Sequence, residues 1–334
     1  MATGFRGLPQ MLAYLRRLDA SGIKSRIRQL GLLVAAVDLV QWASHQRIDH
    51  IHGHSCADTA HVLAMAHRAG GPPYSLTLHG DLNVYGTDHR AKMEEAAFIF
   101  AVGSHLKSQI QEQACVPSDR VFVTCMGVET SALATLGKHR SRIPGSLHLV
   151  TVARLHPAKG HIHALTAVQR GLQLGLDLRY TIAGDGPYRD VILSRIGELG
   201  LQERVELTGT QSETEVYQLL SDADAFVLPS VGAGEAWPVS VMEAMGAGLP
   251  VIASTIGATP EMISSGVDGF LVARGDDQAL LEAIVALAHN IDLRIQIGEA
   301  ARRTASRRFD VATSAAALRD AVSASLASNG RHDH

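Results

Sequence analysis

Short apolar runs recur along the chain, and amphipathic segments separate them. The runs lie at 74–78, 97–102, 120–125, 147–152, 178–183, 204–207, 226–228 and 269–272. Polar residues or glycines bound each run, and segments such as 276–289 and 291–309 carry apolar residues at helical spacing. Continuous apolar runs are typical of parallel strands that are buried on both faces. The pattern therefore predicts an α/β protein built on parallel sheets.

Length and one charged segment predict two domains. A chain of 334 residues can form two separate cores. The stretch 138–146, KHRSRIPGS, is charged and carries Pro144 and Gly145, so we predict a linker there. The predicted first domain is 1–143, the second is 144–308, and a last helix follows at 309–328.

Helices are predicted over residues 5–46, which are rich in arginine. Leucine and valine recur there at helical spacing, at Leu30, Leu33, Val37 and Val40 among others. One interpretation is a basic amphipathic surface that contacts anionic lipid. The alternative is a helix that packs on the core and turns a basic face to solvent.

Composition excludes several classes of protein. The net charge of −3 argues against a general nucleic-acid binder, which would have a basic surface. The 3 cysteines lack the CxxC spacing of zinc sites, so we expect a reducing compartment and no disulfide framework.

The stretch 229–263 holds two carboxylates near a predicted helix start. It runs from the end of an apolar strand through a loop with Glu235 into a helix with Glu243. Pro238 is placed at the first helical position, because its missing N–H would be unpaired there. Open α/β sheets bind ligands at the carboxyl ends of their strands, and helix N–H groups there favour anions.

Two cations follow the strand at 147–152. Arg154 and Lys159 lie in the loop before the next predicted helix. A guanidinium can bind two phosphate oxygens and an ammonium acts as a point charge, so the pair is typical of a diphosphate site. Surface cations without a ligand are the alternative.

Histidines occupy two strand ends in the first half. His50, His52 and His54 alternate, so a strand would place all three on one face, as a polar rim or a metal site. His79 ends the strand at 74–78 and precedes Gly80, which permits a tight turn. We predict an active-site role for His79 rather than a structural one.

These stretches resemble, in the same order, the retaining nucleotide-sugar glycosyltransferases of bacterial group 1, which have the GT-B fold. The paired glutamates appear as EAWPVSVME, and Met126 to Glu129 resembles the family's turn "NGVD". The resemblance covers about residues 45 to 310. It implies two Rossmann-like domains that face a cleft, with the last helix crossing back to the first domain. Exopolysaccharide and colanic-acid members are the most similar in character.

The resemblance also implies roles for individual residues. Glu243 would bind the ribose hydroxyls, Glu235 would hold the donor sugar, and His79 would reach the transferred sugar. The catalytic set is His79, Arg154, Lys159 and Glu235. The donor-binding set is Gly184, Gly209, Thr210, Trp237, Pro238, Val239, Ser240 and Glu243. No metal and no cofactor is expected, since the cations and the helix start would stabilise the departing diphosphate.

The implied activity is that of a retaining hexosyltransferase in cell-surface polysaccharide synthesis. The donor would be a UDP- or GDP-sugar, and the acceptor a glycan or a lipid-linked oligosaccharide. We expect a cytoplasmic protein at the inner face of the membrane, contacting it through the basic N-terminal helices. The alternatives are a donor-binding but inactive partner protein, or a sugar-nucleotide epimerase.

The beginning of the chain departs from the family pattern. Family members start with a strand and a glycine-rich loop, whereas this sequence starts with a predicted helix. We therefore expect an incomplete N-terminal domain. It would arise from a truncated N-terminus or, alternatively, from a reduced variant of the fold.

Overall fold

The computed structural model describes residues 7–19, 22–137, 143–232 and 237–329. By internal contacts the chain divides into two compact units, one made of the described residues up to 125 together with 315–329, the other of those within 126–314. The placement of a domain change at 143/144 and of a separate last helix at 309–328 stays a prediction.

The first unit is a parallel sheet with helices. Its elements are α1 (Leu8–Leu15), α2 (Ile23–Gln46), β1 (Ile51–His54), α3 (Asp58–Arg68), β2 (Tyr74–Leu78), α4 (His89–Met93), β3 (Ile99–Val102), α5 (Ser104–Ala114) and β4 (Val121–Thr124). A 3-10 turn at Leu82–Tyr85 follows β2. The strands pair in the order β1-β2-β3-β4, all parallel, so β1 is an edge strand of the sheet as described.

The helices predicted in 5–46 form as α1 and α2. The buried residues of α2 are Leu32, Ala36, Val40 and Ala43, and the helix packs against α3. Among the residues that recur at helical spacing, Val40 is thus buried, whereas Leu30 is 62% exposed. The C-terminal half of α2 therefore packs through part of the predicted apolar stripe, while its N-terminal half turns apolar residues to solvent.

The second unit contains a six-stranded parallel sheet. Its elements are α6 (Thr130–Leu133), β5 (Ser146–Val152), α7 (His161–Gln173), β6 (Asp177–Ala183), α8 (Arg189–Glu198), β7 (Val205–Gly209), α9 (Glu213–Asp222), β8 (Ala225–Leu228), α10 (Val239–Gly246), β9 (Val251–Ser254), α11 (Thr259–Met262), β10 (Phe270–Val272), α12 (Asp277–His289) and α13 (Ile291–Arg308). The strand order is β10-β9-β8-β5-β6-β7. A last helix, α14 (Val311–Asn329), begins in this unit and continues into residues that group with the first.

The apolar runs form the core of the second unit, as the sequence predicted. Leu149 of β5, Ile182 of β6 and Val227 of β8 are fully buried, and they pack with Leu165 of α7 and Ile284 of α12. Burying one such side chain stabilises the fold by roughly 1.5–3 kcal/mol. Among the described helices, none has both the length and the apolar character needed to cross a bilayer.

Candidate functional site

The centre of the six-stranded sheet is a point at which the strand order reverses. From β5 the chain adds β6 and β7 on one side, and later β8, β9 and β10 on the other. The crossovers that leave β5 and β8 therefore diverge, and a crevice opens at their carboxyl ends. The loop that follows β5 contains Arg154 and Lys159, and Trp237 and Pro238 lie directly before α10.

Main-chain hydrogen bonds join the loops that follow β5, β6 and β7. The Leu155 N–H donates to the Asp185 carbonyl at 3.0 Å, and the Gly184 N–H donates to the Gly209 carbonyl at 2.8 Å. Gly184 has φ +142°, and a Cβ there would lie 2.0 Å from the Ala153 carbonyl oxygen. The structure thus brings the predicted positions Arg154, Gly184 and Gly209 together at the carboxyl ends of the strands.

The turn that carries Lys159 is fixed against the loop that follows β8. Pro157–Lys159 form a 3-10 turn in which the Ala158 N–H donates to His156 Nδ1. Gly160 follows with φ +72°, and a Cβ there would lie 1.9 Å from the Pro229 carbonyl oxygen. The Val231 N–H donates to the Ala158 carbonyl at 2.8 Å. Glycine is therefore required where these two loops meet.

Arg154 and Lys159 lie at the two ends of this loop. The Arg154 side chain is exposed and Lys159 is half-buried. The His161 Nε2–H donates to the Arg154 carbonyl at 3.2 Å, which ties the start of the loop to the first residue of α7. The positive charges of Arg154 and Lys159 therefore lie on one ordered loop at the crevice.

Helix α10 begins one residue later than predicted. Pro238 is the residue before the helix, with φ −67° and ψ 113°, and its carbonyl accepts the Val241 N–H at 3.1 Å. The following main-chain N–H groups, those of Val239 and Ser240, belong to the helix start, where N–H groups have no partner within the helix. Such a start favours an anion.

Glu243 lies inside α10, as predicted, and is half-buried. Burial, and then the negative charge of Glu213, raise the pKa of its carboxyl to about 7. The Tyr217 hydroxyl donates to Glu213 Oε1 at 3.0 Å, and burial followed by this contact raises the pKa of Tyr217 to about 12. Glu213 and Tyr217 belong to α9, and sequence analysis did not identify them. No spacing in the sequence links them to Glu243, because the fold alone brings the two helices together.

Three other predicted residues have different outcomes. Trp237 is buried; its Nε1–H donates to Met242 Sδ at 3.0 Å and its ring meets Phe309 edge to face. Its single side-chain donor is therefore used within the protein. Glu235 lies outside the described residues, and Thr210 follows β7 at the same edge as Gly209.

His79 lies in the first unit, at the carboxyl end of β2. Its Nε2 is 3.0 Å from His54 Nδ1, and the two rings stack with centroids 5.3 Å apart. Burial, and then His54, lower the pKa of His79. His79 is thus held by its own unit, and its role in a site stays a prediction.

The other alternating histidines bond to hydroxyl groups of β2. His52 Nδ1 lies 2.7 Å from Ser75 Oγ, and its Nε2 lies 2.9 Å from Thr77 Oγ1. Burial lowers the pKa of His52 to about 4, with a further contribution from neighbouring histidines. Within the residues that the structure describes, no group of three His, Cys, Asp or Glu side chains is placed to hold a metal ion.

The two parallel-sheet units define an α/β protein of the GT-B class, as the sequence predicted. The match to solved structures is close in fold: the crystal structure of Anabaena Alr3699/HepE in complex with UDP superposes with a TM-score of 0.74 and 21% identity, over 86% of this chain and 82% of that one. At this identity the likeness shows the fold.

Family comparison then identifies the second half. Residues 139–304 match the family described as glycosyl transferases group 1. This segment contains every predicted donor-side residue, and His79 lies before it.

Curated relatives give the same picture. The chain is 30% identical to the putative colanic acid biosynthesis glycosyltransferase WcaL of Escherichia coli (strain K12), over 62% of this chain and 51% of that protein. It is 33% identical to the amylovoran biosynthesis glycosyltransferase AmsK of Erwinia amylovora, over 58% of this chain and 48% of that protein. The chain thus spans about half the length of these relatives.

Proposed function

We propose that the chain is a retaining glycosyltransferase that moves a hexose-type sugar from a UDP- or GDP-sugar to a glycan or a lipid-linked acceptor in cell-surface polysaccharide synthesis. The observation that carries the proposal is the set of joined loops at the strand reversal, with Arg154 and Lys159 on one loop and α10 after the next. The names of WcaL and AmsK support the polysaccharide assignment.

The chemistry depends on stabilising a leaving group. Breaking the glycosidic C–O bond of the donor places negative charge on the diphosphate and positive charge on the sugar. Arg154, Lys159 and the N–H groups at the start of α10 would bind that negative charge, and such charge stabilisation is a large term in catalysis. In the retaining mechanism we propose, the acceptor oxygen bonds to the sugar carbon on the same face, and its proton passes to the departing phosphate.

The remaining residues would hold the donor. Glu243 would accept hydrogen bonds from the ribose hydroxyls, while Glu235 and His79 would contact the transferred sugar. These groups recognise a nucleotide sugar without a cofactor or metal.

The experiment is to incubate the protein with labelled UDP- and GDP-sugars and to follow binding, donor hydrolysis and transfer. We expect Glu243→Ala to weaken nucleotide binding and Lys159→Ala mainly to lower kcat, because the ammonium acts on charge that develops as the bond breaks. Matched controls are Glu203→Ala and Lys107→Ala. They change the same residue types at the amino end of β7, on the side of the sheet away from the crevice, and on α5 of the first unit. Negligible effects of both site variants would refute the assignment.

A donor-binding protein without turnover is the second candidate. The described part of the first unit has a sheet of four strands with β1 at its edge, and an exposed edge is a liability in a complete parallel sheet. In the same experiment, nucleotide binding without hydrolysis or transfer would favour this function.

Contact with the inner face of the membrane is proposed for α2. Its side opposite the packed one exposes Ile23 (79%), Ile27 (64%), Leu30 (62%) and Val34 (61%), with Lys24 and Arg26 beside them. Apolar residues flanked by cations are typical of helices that lie on anionic bilayers. Vesicles containing anionic lipid should sediment the protein, and Ile27→Glu should reduce this more than Val267→Glu, which changes an equally exposed residue of the second unit.

A further inference from the structure

The loop that follows β2 is unusually well anchored for a surface turn. It runs from His79 to Tyr85 and ends in the 3-10 turn Leu82–Tyr85. Hydrogen bonds hold it at its beginning, its middle and its end, and all partners lie in the first unit. These hydrogen bonds are more than the loop needs in order to connect β2 to α4.

Tyr85 folds back onto the start of the loop. Its hydroxyl oxygen accepts the His79 main-chain N–H at 3.0 Å, and it also accepts the N–H of Gly80. Burial raises the pKa of Tyr85, so its hydroxyl stays protonated at neutral pH. One side chain therefore fixes the main chain at the point from which the His79 ring projects.

Lys92 fixes Tyr85 in turn. The Lys92 side chain, from α4, is fully buried, and its Nζ donates to the Tyr85 carbonyl at 2.7 Å. Burial lowers the pKa of this ammonium. A buried charge costs stability, so a chain selected for stability alone would favour an apolar residue at this position.

The middle of the loop is tied to α5. The Gln109 side chain, on α5, donates through Nε2 to Asp81 Oδ1 at 3.0 Å, and its Oε1 accepts the Leu82 N–H at 3.0 Å. Both ends of one amide are thus used to hold neighbouring residues. The loop cannot move without breaking these bonds.

The imidazole itself is oriented by a second ring. His54 Nδ1 and His79 Nε2 are 3.0 Å apart, and the rings are nearly parallel, with 11° between their planes. One nitrogen must donate and the other accept, so the pair is stable when it carries a single proton between the rings. His54 comes from β1, the strand that pairs with β2.

We propose that Tyr85, Lys92 and His54 are positioning residues that hold the His79 imidazole for the transfer reaction. The inference rests on the proposed function, since it takes His79 as the group that approaches the sugar. Tyr85 and Lys92 set the main chain, while His54 sets the ring. A misplacement of about 1 Å in a catalytic group can cost about a hundredfold in rate, so such support has a function beyond stability.

The first test measures the anchoring directly by amide hydrogen exchange. Tyr85→Phe removes the acceptor of the His79 and Gly80 N–H groups with little change in shape. Exchange of these two amides should rise by about tenfold, the equivalent of one lost hydrogen bond, while those of Leu76 and Leu78 in β2 stay unchanged. Val84→Ala, in the same loop with a side chain that is 62% exposed, is the matched control. Unchanged exchange at His79 in Tyr85→Phe would overturn the proposal.

The second test separates positioning from stability. In Tyr85→Phe and Lys92→Met, kcat for transfer should fall by about tenfold or more with donor KM unchanged. His54→Gln, which keeps a hydrogen-bonding side chain, should retain more activity than His54→Ala. Faster exchange in Tyr85→Phe with unchanged kcat would overturn the positioning role.

The outcomes distinguish this inference from the proposed function. If His79→Ala transfers sugar as fast as the wild type, the assignment of His79 to the reaction fails, and the positioning role fails with it. If the wild type itself transfers no sugar, the proposed function fails, while the exchange measurement still decides whether Tyr85 anchors the loop.

Discussion

At the scale of single residues, the candidate site combines residues that could be predicted from the sequence with residues that could not. Arg154 and Lys159 could be found because they follow an apolar run within one loop, and Glu243 because Pro238 indicates the start of its helix. Glu213 could not be found, because its effect on Glu243 acts between two helices. The raised pKa of Glu243 is a property of burial and of that neighbour, and no local spacing indicates either.

The protonation of Glu243 should govern donor binding. Because its pKa is raised to about 7, the carboxylate that can accept two ribose hydroxyls forms mainly above neutral pH. Affinity for a UDP-sugar should therefore rise by up to about tenfold from about pH 6 to about pH 8. Titration calorimetry at several pH values measures it. UDP-sugars are preferred over UDP, since their diphosphate does not titrate in this range.

The control is Glu243→Gln, which keeps the shape and removes the titration. Its affinity should not vary with pH over the same range. An identical pH dependence in both proteins would assign the titration to another group.

Gly160 should tolerate no side chain. In Gly160→Ala the new Cβ would meet the Pro229 carbonyl at 1.9 Å in addition to the unfavourable φ of +72°. We expect a loss of about 3 kcal/mol or more in the free energy of unfolding, measured by chemical denaturation.

Gly175→Ala is the matched comparison. Its φ is +86° and a Cβ would meet nothing within 4 Å, so only the backbone conformation is strained. The expected loss is about 1 kcal/mol. Equal losses in the two variants would show that the loops at the strand reversal can separate freely.

At the scale of elements, helix α13 is joined to the sheet by a buried ion pair. Arg294 and Asp224 are 5% and 2% exposed, with Arg294 Nη1 3.4 Å from Asp224 Oδ1. The other Asp224 oxygen accepts the His148 N–H at 2.9 Å, at the amino end of β5. The pair therefore links α13 to the starts of β5 and β8, at the edge of the sheet away from the crevice.

Removing one partner of this pair should be costly. Arg294→Met leaves the Asp224 carboxylate buried without its cation, and we expect the free energy of unfolding to fall by about 3–5 kcal/mol. Arg303→Met, on the same helix, breaks an exposed contact with Glu299 and should cost less than about 1 kcal/mol. A similar small effect of both substitutions in urea denaturation would contradict the prediction.

At the scale of the whole molecule, the sequence predicted the fold better than it predicted the packing. The parallel strands could be read because runs such as Tyr74–Leu78 are buried along their whole length. The orientation of α2 could be predicted only in part: Val40 packs and Leu30 faces solvent, because the apolar residues of this helix are spread around it. Likewise His79 was identified by its strand end, whereas the support from Tyr85 and Lys92 depends on a loop whose path no periodicity shows.

The first unit should lose stability in acid before the second. Burial, and then the nearby Lys92 charge, lower the pKa of His61 from 6.5 to about 4, and its Nδ1 lies 2.7 Å from the Tyr14 hydroxyl. The folded protein therefore favours the neutral form of His61. The stabilisation is therefore complete above about pH 6.5 and is lost as the pH falls to about 4, a change of about 3 kcal/mol.

Hydrogen exchange resolved by unit at decreasing pH measures this difference. In His61→Gln the first unit should be less stable at neutral pH and should show a weaker dependence on acid. If the two proteins responded equally to acid between about pH 6.5 and about pH 4, another group would be responsible.

Main-chain hydrogen bonds, rather than side-chain contacts, hold the loops of the crevice together. Hydrogen bonds such as that from the Gly184 N–H to the Gly209 carbonyl depend on backbone geometry and on the absence of a Cβ. The exposed side chains of the same loops therefore contribute little to holding the loops together. Evolution, or a designer, could exchange those side chains to select a different sugar while the architecture persists. A saturation library at the exposed positions His156, Pro157 and Pro187, with Arg154 and Lys159 unchanged, should consequently contain many folded proteins with altered donor preference.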